Sequence, residues 1–143
     1  MAVKLIKDLY TATVQVTGGR RGGIARSSDK ILDLPLQAPR ETGGPGGATN
    51  PEQLFAAAYA ACYTSALGVV ARERKHALGD TRVTADVTLG TDSAGRYGIR
   101  VALTVEVPDT DKQLVQELAE AAHEVCPFSR AIAGNTEVTT QVR

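Results

Sequence analysis

The chain has 143 residues, 16 of them basic and 16 acidic, with two cysteines and no tryptophan. That length suits one domain, 1–143, with its own hydrophobic core. Zero formal charge gives no electrostatic reason to expect nucleic acid or an anionic membrane as partner, and the few aromatic residues argue against base stacking. Two cysteines are too few for a disulfide framework, and no Cys-x-x-Cys pair marks a structural zinc site.

The opening MAVKLIKDLY alternates charged and apolar residues and does not read as a secretory signal. The closing Val142-Arg143 is no lipidation motif. A cytoplasmic location is the default, and there a cysteine pair is more often catalytic or redox-sensing than structural.

Residues 8–17 alternate around Tyr10, Ala12, Val14 and Val16, which predicts a half-buried strand. Gly18 to Gly23, with Arg20 and Arg21 between glycines, reads as a hairpin turn, and GIARSS as the returning strand. Ile31, Leu32, Leu34 and Leu36 predict a third strand, with Pro35 placing it at a sheet edge or bulge. The loop 40–49 holds four glycines and a proline. It matches neither the Walker nor the dinucleotide fingerprint, so it reads as a connector.

The uncharged run 54–71, LFAAAYAACYTSALGVVA, is the chain's most distinctive stretch. Asn50 is a good N-cap, Pro51 suits the first helical position, and Gln53 completes a capping-box pattern. The predicted helix ends near Lys75 or His76. Its 18 residues sit at the lower edge of a membrane span, but eight are Ala or Gly, Thr64 and Ser65 interrupt the run, and Glu52 precedes it. A buried helix of a soluble protein is the better reading.

Strands are predicted over 81–90 and 96–107, and a second helix over 110–125, opened by Pro108-Asp109. Leu114, Val115, Leu118, Ala122 and Val125 mark its apolar stripe, which Cys126 continues. Pro127 ends that helix or begins a short one, and 137–142 makes a last strand. Three strands, helix, two strands, helix, strand is an α+β order with mostly antiparallel strands.

Cys62 lies mid-helix, with Phe55, Ala58, Tyr59, Ser65, Ala66 and Val69 on its face. Such surroundings should raise the thiol pKa, and a helix dipole fades long before a position this far from the cap. On residue chemistry alone, a mid-helix cysteine is by default inert core packing. A nucleophilic Cys62 needs a borrowed cation, and Arg20 and Arg21 are the candidates, because Arg stays charged when partly buried. By default these arginines are solvated turn residues, and Glu52 is a dipole-friendly surface carboxylate. His76 and His123 read as exposed. Cys126, at a helix end, reads as less buried and better placed to react.

TGGRRG at 17–22, TNPEQLFAAAYAACY at 49–63 and HEVCPFSRAIAGN at 123–135 together resemble the organic hydroperoxide resistance (Ohr) branch of the OsmC/Ohr superfamily, over essentially the whole chain. The resemblance implies a fold of mostly antiparallel sheets wrapped around two central helices in an intertwined homodimer. It implies that Cys62 is a peroxidatic cysteine, Cys126 a resolving cysteine, Arg20 the thiolate-stabilising cation and Glu52 the carboxylate orienting it. Spacing to the cysteine favours Arg20 over Arg21, although Arg21 stands where the family commonly has an acidic residue. Tyr63 stands where Phe is expected.

The implied chemistry is reduction of alkyl and fatty-acid hydroperoxides through a Cys62 sulfenic acid and a Cys62–Cys126 disulfide. Dihydrolipoyl groups on lipoylated proteins would recycle it, with no bound metal, haem or flavin. Phe55, Tyr59 and Phe128 are the expected substrate pocket. An OsmC-type peroxidase of broader peroxide use, a thiol redox sensor and a lipid-binding module are the alternatives. Glu52 and Cys62 lie ten residues apart on one helix, about 15 Å along its axis. The expectation is therefore that different subunits supply Glu52 and the Arg/Cys set.

Overall fold

In a computed structural model describing residues 3–143, three strands come first: β1 (Val14–Thr17), β2 (Gly23–Ser27) and β3 (Asp33–Leu36). Helix α1 (Pro51–Glu73), strands β4 (Arg82–Thr91) and β5 (Tyr97–Glu106), helices α2 (Lys112–Val125) and α3 (Pro127–Ile132), and strand β6 (Val138–Val142) follow. The first two residues of the N-terminal stretch lie outside this description. The chain divides into two compact units, one ending at Leu54 and the other spanning Phe55–Arg143.

The first unit carries the antiparallel sheet β1-β2-β3. β3 is an edge strand, as Pro35 requires, and Pro35 sits opposite Ile24. The strand expected over 8–17 is shorter than its alternation suggested. β1 pairs with β2 only from Val14 to Thr17, because β2 ends at Ser27 and the chain then turns. Among the described residues no strand pairs with 8–13, and Leu9 and Tyr10 are 87% and 83% exposed.

The β1–β2 turn depends on its glycines. Gly18, Gly19 and Gly22 all have positive φ, which L-residues with a Cβ disfavour. A Cβ at Gly23 would overlap the carbonyl oxygens of Thr17 and Gly19. At the end of this unit, Asn50 Oδ1 accepts the Gln53 N–H at 2.9 Å, the expected N-cap. The Gln53 side chain accepts from the Thr49 hydroxyl at 2.9 Å instead of turning back to the cap residue.

The second unit is built on α1, the sheet β4-β5-β6 and α2. β4 and β5 pair antiparallel and β5 and β6 parallel. Val101, Leu103 and Val105 of β5 are buried against Val115, Leu118, Ala119 and Ala122 of α2 and Tyr63, Leu67 and Val70 of α1 in one core. Helix α1 is long and apolar enough to cross a membrane by length and composition, yet Tyr59, Tyr63, Ala66, Leu67, Val70 and Ala71 pack inside the protein. It is not buried all round: Ala57, Ala58, Ala61, Ser65 and Gly68 form an exposed face of small residues.

Helix α1 stops at Glu73, short of the expected end. The His76 N–H bonds the Ala71 carbonyl and the Lys75 N–H the Arg72 carbonyl, a Schellman closure with Lys75 at φ 60°. Helix α2 starts later than Pro108-Asp109 suggested. Asp109 is left-handed at φ 61°, so the cap passes to Asp111, whose side chain accepts the Leu114 N–H. The stripe of α2 centres on Val115, Ala119 and Ala122, which leaves Val125 at its margin and 38% exposed.

Candidate active site

Both cysteines belong to the second unit. Cys62 lies mid-helix on α1. Cys126 ends α2 and caps α3, its N–H bonding the Ala122 carbonyl at 2.9 Å. The sulfurs are 3.6 Å apart, and both are free thiols. Cys126 is fully buried, which corrects the expectation of a more exposed residue. It continues the buried stripe of α2, and the chain turns directly into α3 instead of into solvent. Cys62 is the half-buried member.

Burial pushes the Cys62 thiol above its ordinary value of 9.0, and the Cys126 thiol adds to the rise. The backbone of Phe128 pulls the other way. Pro127 signalled the start of α3 in the sequence.

Phe55, Tyr59 and Phe128, the expected pocket residues, do come together. Phe55 meets Phe128 edge-on at 6.2 Å, and Tyr59 stacks on Phe128 at 6.2 Å and 22°. Tyr59 is fully buried, so Phe55 and Phe128 are the members with surface to offer. A neighbouring cleft of about 300 Å³ is lined by Tyr59, His123, Ser129, Arg130, Thr136 and Val138.

His123 is not an exposed helix residue. Its Nδ1 lies 2.9 Å from Ser129 Oγ and its Nε2 2.9 Å from Thr140 Oγ1. Tyr63 packs on its ring at 4.8 Å. Ser129 Oγ is also 2.8 Å from the Tyr59 hydroxyl. Burial lowers the His123 pKa, which favours a neutral ring. It also raises the Tyr59 pKa, so that hydroxyl stays protonated. Helical periodicity placed His123 beside the stripe. Its burial is decided by β6, which arrives much later in the chain.

The first unit holds the other two expected site residues. Arg20, on the β1–β2 turn, grips Glu52 in the first turn of α1: Nη2 to Oε1 is 2.7 Å and Nη1 to Oε2 is 3.4 Å. Such a fork on a carboxylate is what a guanidinium does and an ammonium cannot. The pair is part-buried, with side chains 37% and 16% exposed. Arg21 beside it is exposed. Arg20 and Glu52 thus pair within one chain, and the expected division of these two between subunits does not hold.

Fold and site together define an α+β protein built around a close, unbonded cysteine pair. Residues 44–141 match the OsmC-like protein family. The organic hydroperoxide resistance protein of Xanthomonas axonopodis pv. citri (strain 306) is 50% identical over 135 residues, covering 93% of this chain and 94% of that protein. OhrA of Bacillus subtilis (strain 168) is 44% identical over 142 residues, covering 95% and 97%. The crystal structure of Bacillus subtilis OhrB matches with a TM-score of 0.87 at 42% identity, over 95% of this chain and all of that one. The chain belongs to the OsmC/Ohr family, in its organic hydroperoxide resistance branch.

Proposed function

We propose that the protein is a cysteine-based peroxidase that reduces organic hydroperoxides and is recycled by a dithiol. The observation that carries this is the Cys62–Cys126 sulfur distance of 3.6 Å between two free thiols. A disulfide needs about 2.05 Å, so a small approach of the two sulfurs closes the bond. The names of the relatives point to the same substrate class.

The Cys62 thiolate attacks the terminal peroxide oxygen. The O–O bond breaks, the alkoxide leaves with a proton as alcohol, and Cys62 becomes a sulfenic acid. The Cys126 thiol condenses with it, expelling water and forming the disulfide. A dihydrolipoyl dithiol, free or on a lipoylated protein, restores both thiols by exchange and becomes a disulfide itself. In sum, ROOH and a dithiol give ROH, water and a disulfide.

Burial alone leaves Cys62 a poor thiolate, so a cation must lower its pKa. The family resemblance assigns that role to Arg20, oriented by Glu52. The aromatic surface of Phe55 and Phe128 favours alkyl and acyl hydroperoxides over H2O2, which has nothing apolar to place there. A homodimer working in the cytoplasm completes the proposal. Uncovered apolar residues such as Val14 and Val16 and the small-residue face of α1 are surfaces that a second copy would cover.

The test is steady-state peroxide loss with dihydrolipoamide as reductant, comparing cumene hydroperoxide with H2O2. The proposal expects sustained turnover that favours the organic peroxide and is abolished in Cys62→Ser. Equal use of both peroxides indicates an OsmC-type enzyme of broader range. One stoichiometric oxidation followed by silence indicates a sensor.

A further inference from the structure

The hydrogen-bonded chain Tyr59–Ser129–His123–Thr140 takes no part in the chemistry above, yet three of its members flank the two cysteines along the chain. Tyr59 stands three residues, about one turn, before Cys62 on α1. His123 stands three residues before Cys126, and Ser129 three residues after it. The links are 2.8 Å from Tyr59 to Ser129, 2.9 Å from Ser129 to His123 and 2.9 Å from His123 to Thr140. One chain of side-chain hydrogen bonds therefore joins residues three before and three after Cys126 and ties them to the turn of α1 just before Cys62, with Thr140 of β6 as anchor. Tyr59 and Ser129 are buried, at 0% and 6% exposure.

Apolar residues could fill this space at little cost, because replacing both partners of a buried hydrogen bond can be nearly neutral. What a polar chain adds is directionality: each link fixes an angle as well as a distance. We propose that Ser129 and His123 are positioning residues that hold Cys126 in register with Cys62 and so set the rate of disulfide closure. Neither touches the peroxide. Closure is a displacement at sulfur, and small misplacements of reacting atoms are expensive in rate.

The proposal rests on the peroxidase reading for its role in turnover, but closure can be measured without peroxide. An aromatic disulfide reagent first caps Cys62 as a mixed disulfide, releasing one coloured thiolate. The Cys126 thiolate then attacks the Cys62 sulfur, and a second thiolate leaves. The rate of this second release reports closure alone. In Ser129→Ala and His123→Ala it should fall by about tenfold, the worth of one well-made hydrogen bond. His123→Asn keeps an amide near the Nδ1 position and should recover most of the loss. The first release should change by less than about twofold, since the capping step does not use the brace. Urea midpoints identify any variant that fails to fold, and the His123→Asn and His123→Ala comparison stands if Ser129→Ala does.

Second-phase rates equal to wild type in folded variants would overturn the proposal, as would equal slowing of both phases. Slowed closure confined to the second phase supports it, even if the wild-type protein proves inert to hydroperoxides, in which case only the peroxidase reading fails.

Discussion

Burial and the proposed cation would act on the Cys62 thiol with opposite sign. Burial raises the Cys62 pKa above 9.0, which would leave little thiolate near neutral pH. An opposite charge close by lowers a pKa by about 1–3 units. If Arg20 acts on Cys62, alkylation of that thiol by iodoacetamide should saturate at a lower pH in wild type than in Arg20→Ala. The midpoint should move up by about a unit or more on losing the cation, and Glu52→Gln should move it in the same direction by less. Superimposable profiles would remove Arg20 from the site. Cys62, Cys126, Arg20 and Glu52 could be nominated from the sequence because they fall in the segments that carry the family resemblance. His123 could not, because its partners Ser129 and Thr140 come from elements that local periodicity does not connect to it.

Among the elements, the β1–β2 turn is the one that presents Arg20 to Glu52, and Gly23 is its least replaceable residue. Gly23→Ala sets a methyl group against the Thr17 and Gly19 carbonyl oxygens, where the obstacle is backbone and cannot swing away. Loss of about 1–3 kcal/mol is expected by urea denaturation, with turnover falling toward that of Arg20→Ala. A fully active, equally stable Gly23→Ala would mean that the turn does not position the arginine. Helix α1 was readable at its start because Asn50 and Pro51 carry strong start signals. Its end was not, since Lys75 occupies a left-handed position usually given to glycine. The alternation over residues 8–17 predicted a half-buried strand, but all four residues of β1 are exposed. Strand length depends on a partner, and β2 offers one only as far as Val14.

At the scale of the whole molecule, exposed apolar surface is the feature left over. Ile6, Leu9 and Tyr10 are 98%, 87% and 83% exposed, more than scattered surface residues require. Sedimentation should give a species of twice the 15.0 kDa chain mass, and Ala61→Glu on the small-residue face of α1 should shift it toward monomer. A wild-type monomer at micromolar concentration would contradict the homodimer. The α+β order and strand sequence were legible because each element carries its own periodicity. The most direct test of the central claim adds one equivalent of an alkyl hydroperoxide to the fully reduced protein and maps its cysteines by peptide mass spectrometry. The account predicts loss of both thiols together as a Cys62–Cys126 crosslink, a trappable sulfenic acid on Cys62 in Cys126→Ser, and no reaction in Cys62→Ser. Oxidation that begins at Cys126, or thiols that survive the peroxide intact, would contradict it.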